Sequence, residues 1–231
     1  MAQLGSVKKA TSSDHQFKLD QPAIVLAVLT ILLAVSACSQ LQTTESSTTY
    51  FSNSMDNPRI SPVPLEKYLA DNPDSSPQFA SLHFTRTLAN SPKLASAAIP
   101  FALHILGNSS LPPKDRELLI LRIGWLCQAE YEWRHHKNVG LRVGLSLSDV
   151  MQTTRPPAGT GWNQTLIRAA DELHRNAKIS DKSWEALSEK YSDIQLLDLI
   201  FTVGQYNMVS MFLNSTGVQL EPDFKETIAS E

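Results

Sequence analysis

The sequence predicts an all-α protein. Two observations support this: apolar residues from position 58 onward recur at helical spacing, and no segment shows the sustained apolar-polar alternation of a half-buried strand. The chain of 231 residues is 42% hydrophobic and 19% charged, which is ordinary for one globular domain with a sizeable core. A net charge of -3 argues against a basic surface for nucleic-acid binding. Two cysteines are too few for a fold held together by several disulfides.

The first part of the chain has the composition of a targeting segment. An uncharged apolar run, residues 23–37, follows a polar leader. It is shorter than the ~20 residues of a transmembrane helix, so it is more typical of a signal peptide. The sequence Val35 to Cys38 also resembles a bacterial lipobox, in which the cysteine is lipidated. We expect residues 1–38 to be a signal or lipoprotein segment, with a plain signal or anchor helix as the alternative.

The predicted targeting segment indicates where in the cell the protein is located. The protein is expected in the cell envelope, attached to the membrane through Cys38 or through residues 23–37. Translation from Met55 would instead give a cytoplasmic protein. Residues 39–57 are rich in Ser, Thr, Gln and Asn and lack apolar periodicity, so a flexible tether is predicted there. The folded domain is expected at residues 58–226.

Helices are predicted one after another along that domain. Each is indicated by a start signal, such as Pro or a capping Ser or Asp, followed by apolar residues at helical spacing. Asn72-Pro73 and Gly107-Asn108 are expected to end two of them. In order, the predicted helices start at Pro64, Asp74, Ser91, Leu111, Ser146, Trp162, Ser180 and Asp193, with the central segment Glu130 to His136 between the fourth and the fifth.

That central segment is the densest cluster of chemically useful side chains. Glu132 and His136 are four residues apart, so on one helix their head groups lie within reach of each other. A carboxylate beside an imidazole forms a proton-transfer pair, because the carboxylate orients the ring and raises its basicity. Tyr131 and Trp133 flank the pair. Surface Glu–His pairs at this spacing are common, so a solvated helix face is the alternative.

A wider pattern resembles a known family. The stretches Arg116 to Arg122, Glu130 to Trp133 with His136, and Gly140 to Gly144 are similar to the carboxymuconolactone decarboxylase family, within the alkyl-hydroperoxidase D-like superfamily. The resemblance runs from about Pro58 to about Leu220. It implies a compact multi-helix subunit that forms a homo-oligomer, either a trimer or a hexamer.

Redox members of that superfamily use a glutamate, a Cys-x-x-Cys pair and a histidine as a proton relay. By spacing, the glutamate and histidine fall on Glu117 and His136, while the thiol positions fall on Ala129 and Glu132. A disulfide-cycling peroxidase needs an attacking and a resolving thiol, and this chain has neither at those positions. A thiol-dependent peroxidase using Cys127 is therefore the less favoured alternative.

The resemblance favours a cofactor-free lyase or related proton-transfer enzyme acting on a small cyclic or aromatic acid. It implies His136 as acid/base, Glu132 as its partner and Glu117 as a relay residue. The residues expected to contact the substrate are Tyr131, Arg122 and Trp133. The resemblance implies no cofactor, because the carbonyl of such a substrate itself accepts the electron pair. A metal site is not expected either, since no second histidine stands four residues away as in His-Glu-x-x-His. A non-catalytic small-molecule binding protein of the same fold is the alternative.

Glu117 and His136 can act together only if the chain folds back between them. In a single straight helix, Glu117 and His136 would stand roughly 28 Å apart. They can meet only if the chain turns between Trp125 and Ala129, where no proline occurs. The resemblance implies this turn, and the residues alone do not predict it.

Overall fold

The computed structural model describes residues 51–52 and 55–227. The predicted targeting segment 1–38, the lipidation site Cys38 and most of the predicted tether lie outside these residues. Within the described residues all regular structure is helical, which confirms the predicted fold class.

The described residues form ten α-helices and one π-helical turn. The short N-terminal helices α1 to α3 are followed by the longer helices that build the core. Their bounds are α1 Leu65–Asp71, α2 Pro77–Ser81, α3 His83–Leu88, α4 Pro92–Leu103, the π-turn His104–Asn108, α5 Pro113–Leu126, α6 Glu130–Arg142, α7 Leu147–Gln152, α8 Trp162–Asn176, α9 Asp181–Ser188 and α10 Asp193–Thr216.

Helix starts follow local chemistry. The hydroxyls of Ser146, Ser180 and Ser192 each accept a hydrogen bond from the backbone N–H three residues later, which satisfies a donor that the first turn leaves free. The segment predicted to begin at Asp74 differs from the prediction. It forms two helices because Leu82 adopts extended backbone angles, with φ -63° and ψ 128°.

Helix α5 is the centre of the core. It packs against α6, α8 and α10, and most of its residues are buried on every side. Three of those buried residues are charged: Arg116, Glu117 and Arg122. Because a charge in the interior needs a partner, each of these three side chains must be paired within the packed domain.

Helix α10 has two faces. It is 24 residues long, and by length and composition alone it is apolar enough to cross a membrane. Half of its apolar stretch, however, is buried inside the domain. Core helices of globular proteins meet the same criterion. The inner face includes Leu199, Val203 and Tyr206, whereas large apolar side chains on the outer face are exposed.

The packed chain begins before the boundary predicted at Pro58. Phe51 is buried, with its ring centroid 5.5 Å from that of Trp125 and 5.8 Å from that of Trp133. The Ser52 backbone N–H donates to Oε1 of Gln128 at 3.4 Å. This part of the predicted tether therefore lies against the connection between α5 and α6.

Candidate functional site

The connection between α5 and α6 turns the chain back on itself. The Ala129 N–H donates to the Gly124 carbonyl at 2.8 Å, and Gln128 adopts a left-handed backbone with φ 54°. Gly124 lies against the start of α6, where an added Cβ would be in van der Waals contact, 3.4 Å from the backbone nitrogen of Trp133. The turn implied by the resemblance is therefore present, and it brings Glu117 opposite His136.

The imidazole of His136 lies between two carboxylates. Its Nδ1 is 2.6 Å from Oε2 of Glu117, and its Nε2 is 2.9 Å from Oε1 of Glu132. The Glu117 side chain is fully buried, and those of His136 and Glu132 are 10% and 6% exposed. Both ring nitrogens face acceptors, so the arrangement favours the doubly protonated imidazolium.

Two further residues complete the cluster. Arg116 places Nε and Nη2 at 3.1 and 3.0 Å from Oε1 of Glu117, so both oxygens of that carboxylate have a cationic partner. Tyr206, from α10, presents its ring to His136 with the centroids 4.9 Å apart and the planes at 81°. Neither residue was predicted from the sequence to belong to the site, although Arg116 lies in a stretch that carried the resemblance and Tyr206 lies within its range.

The carboxylates determine the charge of the histidine. Burial alone would lower the pKa of His136, but the charges and hydrogen bonds of Glu117 and Glu132 outweigh it and raise the pKa to about 9. Burial would raise the pKa of Glu117, yet the neighbouring cations His136 and Arg116 hold it below its usual value. At neutral pH the cluster is an imidazolium with an ionised Glu117.

Arg122 lies in a different environment from the one predicted. Its Nε and Nη2 bind the carboxylate of Asp171 at 2.5 and 2.9 Å, and Nη1 donates to the Thr153 carbonyl at 2.8 Å. Arg122 and Asp171 are both buried. All three guanidinium nitrogens are bound within the chain, so Arg122 links α5 to α8 instead of offering a free donor to a substrate.

Tyr131 is covered by the C-terminal tail, residues 217–227. Its hydroxyl donates to Oε1 of Glu221 at 2.6 Å, and burial followed by that carboxylate raises its pKa well above the usual value. His135, on the same helix, also contacts this tail. It binds Oε2 of Glu221 at 2.9 Å and lies between the rings of Tyr131 and Phe224.

Trp133 and Cys127 lie on either side of the turn. Trp133 is buried beside Phe51, and among the described residues its Nε1 has no hydrogen-bond partner. The Cys127 thiol donates to Oδ1 of Asn207 at 3.3 Å and lies 3.9 Å from Nδ1 of His174. Burial raises the pKa of Cys127, so its thiolate is less populated than that of a free cysteine.

Two cavities open on the described surface. One, of about 280 Å³, is lined by residues that include Met55, Gln128, Tyr131 and Leu220. The other, of about 430 Å³, lies between α8, α9 and α10 beside Trp184. Across the described ranges, no group of three or more His, Cys, Asp or Glu side chains is arranged to hold a metal ion.

Comparison with known families and structures agrees with this architecture. Residues 92–173, which run from α4 into α8, match the model of the carboxymuconolactone decarboxylase family. This stretch of the chain is therefore similar to the carboxymuconolactone decarboxylase family. This confirms the resemblance predicted from the sequence, and the match includes Glu117, Glu132 and His136. No curated protein matches the chain significantly.

Solved structures share the fold at low sequence identity. The debrominase Bmp8, a variant in complex with 2,3,4-tribromopyrrole, is 16% identical with a TM-score of 0.59, covering 73% of this chain and 94% of its own. An alkylhydroperoxidase AhpD core protein from Ralstonia eutropha is 15% identical with a TM-score of 0.56, covering 71% and 94%. A peroxidase-related protein from Silicibacter is 16% identical with a TM-score of 0.51, covering 75% and 95%. At these identities the comparison establishes the alkyl-hydroperoxidase D-like fold.

Proposed function

We propose that this chain is a cofactor-free proton-transfer enzyme, acting as a lyase that removes carbon dioxide from a small cyclic or aromatic acid. The observation that carries the proposal is the buried imidazolium of His136, held between Glu117 and Glu132. In such a reaction the bond to the carboxylate carbon breaks and its electron pair enters the conjugated ring system. Carbon dioxide leaves, and the ring carbon takes up one proton.

The two imidazole protons have different roles in this proposal. Arg116 and His136 keep Glu117 ionised, so Glu117 retains the proton on Nδ1. The proton on Nε2 is the transferable one, and Glu132 is its immediate acceptor. Glu132 then passes it to the substrate carbon, and solvent restores the proton on His136. Since His136 and Glu132 are both nearly buried, the substrate reaches them only after covering side chains move.

Two features support a small ring as the ligand. The ring of Tyr206 packs edge-on against the imidazole of His136, so one wall of the charged cluster is aromatic. A protein that shares the fold, the debrominase, has been seen in complex with tribromopyrrole. A planar ring acid of similar size would pack against the ring of Tyr206, with its carboxylate near the imidazolium of His136.

A non-catalytic binding protein is the second candidate. The observation that favours it is the cavity of about 280 Å³ beside Tyr131 and Gln128, whose lining does not include His136. In that case the charged cluster would be a structural element, and the ligand would bind in this cavity without reacting. The peroxidase alternative has less support, because the raised pKa of Cys127 disfavours a thiolate nucleophile.

The decisive experiment screens lactone and aromatic acids for released carbon dioxide in deuterium oxide. The proposal expects one deuterium in the product at the carbon that lost the carboxylate. His136→Gln should abolish turnover, whereas His174→Gln, a histidine on the exposed side of α8, should retain it. A ligand that stabilises the protein without yielding product would identify a binding protein. Peroxide reduction that is lost in Cys127→Ala would identify a peroxidase.

We also propose attachment to the cell envelope through Cys38 or through residues 23–37. The support is the apolar run followed by small residues and cysteine. Mass analysis of the mature protein tests this. A diacylated N-terminal cysteine is expected, while an intact leader or a chain that begins at Met55 would contradict lipidation.

A further inference from the structure

A second polar cluster, formed by Cys127, His174 and Asn207, lies outside the His136 site. Cys127 directly follows α5, His174 lies in the last turn of α8, and Asn207 lies within α10. The packing of these three helices brings the side chains together. Because His174 is exposed and the other two are only partly buried, the cluster is open to solvent.

The donor atoms of the three side chains converge. Asn207 Oδ1 is 2.8 Å from His174 Nδ1 and 3.3 Å from Cys127 Sγ, and Sγ is 3.9 Å from Nδ1. One point between them is about 2 Å from all three atoms, and zinc binds nitrogen and oxygen at about 2.0–2.2 Å and thiolate sulfur at about 2.3 Å. The separations are also close to the roughly 3.3–3.6 Å between neighbouring donors of a tetrahedral zinc site.

We propose that Cys127, His174 and Asn207 bind a thiophilic divalent cation of the zinc class, with water as the fourth ligand. On binding, the Cys127 thiol releases its proton to solvent, and the imidazole binds through Nδ1 with its own proton on Nε2. Three protein ligands and one exchangeable water are typical of open zinc sites. The site shares no residue with the His136 cluster, so it is independent of the proposed lyase activity.

Helix α10 supports the sulfur from the buried side. The Ser210 hydroxyl is fully buried, and the Cys127 sulfur is its one hydrogen-bond partner within the described part of the chain. A thiolate at this position would accept that hydroxyl proton in a strong, charge-assisted hydrogen bond. Asn214 Nδ2 donates to the Cys127 carbonyl at 2.7 Å and fixes the backbone that carries the sulfur. Outer hydrogen bonds of this kind orient the ligands of metal sites.

A nucleophilic thiol fits the same geometry less well. In a catalytic pair, one imidazole nitrogen faces the thiol and the other binds the group that orients the ring. Here Nδ1 of His174 faces both Cys127 and Asn207, and it is closer to the amide oxygen than to the sulfur. Three donors that converge on one point instead suit a cation.

Zinc titration of the tag-free full chain tests the proposal, in a non-ionic detergent and after treatment with a chelator. Calorimetry is expected to give one Zn²⁺ per chain, with a dissociation constant in the micromolar range or below. Cys127→Ser and His174→Gln should each weaken binding by at least about 100-fold. Asn207→Asp should strengthen it about 10-fold, because a charged carboxylate oxygen replaces the amide oxygen.

Two matched controls remove the same residue types elsewhere. Cys38→Ser removes the other cysteine of the chain, and His104→Gln removes another exposed histidine. Both should bind Zn²⁺ as the wild type does. Zn²⁺ should also protect Cys127 of the wild type from alkylation by iodoacetamide, measured by peptide mass spectrometry, and a chelator should reverse the protection.

Every other result overturns the proposal. Binding weaker than micromolar would do so, as would binding that Cys127→Ser leaves unchanged. Binding that needs Cys127 but not His174 would indicate adventitious ligation by a thiol. An Asn207→Asp chain that binds no more tightly than the wild type would remove the amide from the ligand set. If a variant loses its circular dichroism spectrum, the alkylation of wild-type Cys127 decides, and a thiol that Zn²⁺ does not protect refutes the site.

Discussion

The charge on His136 should make the stability of the protein depend on pH above neutrality. In the folded chain its pKa is about 9, compared with an ordinary value of 6.5. Because the folded state binds this proton more tightly than the unfolded chain, the ionised cluster contributes about 3 kcal/mol to the free energy of unfolding. That contribution is fully present below about pH 6.5 and is lost as the pH rises through about 9.

Chemical denaturation at a series of pH values, followed by circular dichroism, measures this loss. The wild type should lose about 3 kcal/mol more than His136→Gln between about pH 6 and pH 10, because glutamine does not titrate. The control His174→Gln removes a histidine from the exposed side of α8 and should keep the slope of the wild type. Equal slopes for the wild type and His136→Gln would refute the assignment of a buried imidazolium.

Three further predictions concern the stability of the structure around the His136 cluster. Arg122→Ala should lower the free energy of unfolding by about 3–5 kcal/mol, since Asp171 would remain buried without its bidentate partner. The control Arg175→Ala removes an exposed partner of the same carboxylate. In the same denaturation assay it should lower the free energy of unfolding by about 1 kcal/mol or less. Gly217→Ala should lower the melting temperature, because φ there is 70° and the new Cβ would lie 3.0 Å from Sδ of Met55. Glu221→Ala removes the acceptor of Tyr131 and His135, and hydrogen exchange measured by mass spectrometry should become faster in residues 221–227.

The helix order could be predicted because its signals are local. A serine followed by apolar residues at helical spacing defines the starts of α7 and α9, and the structure has both. The break at Leu82 could not be predicted in this way, since apolar residues continue across it at helical spacing. The backbone at that position is set by tertiary contacts, such as the His83 N–H that donates to Glu221, more than one hundred residues away.

The candidate site was predictable only in part. Glu132 and His136 share a helix face, so their spacing was enough to pair them. The contact between Glu117 and His136 depends on a turn at Gln128, a non-glycine residue with positive φ that carries no sequence signal. The Arg122–Asp171 pair joins positions 49 residues apart, and nothing in either local sequence indicates it.

The burial of Phe51 limits how far the domain could travel from a membrane. Phe51 packs against Trp125 and Trp133, and twelve residues lie between Cys38 and this first fixed point of the domain. Even fully extended, that stretch spans no more than about 45 Å. On a lipidated chain, the connection between α5 and α6 would therefore stay within about 45 Å of the bilayer. Phe51→Ala would remove this fixed point and lengthen the reach.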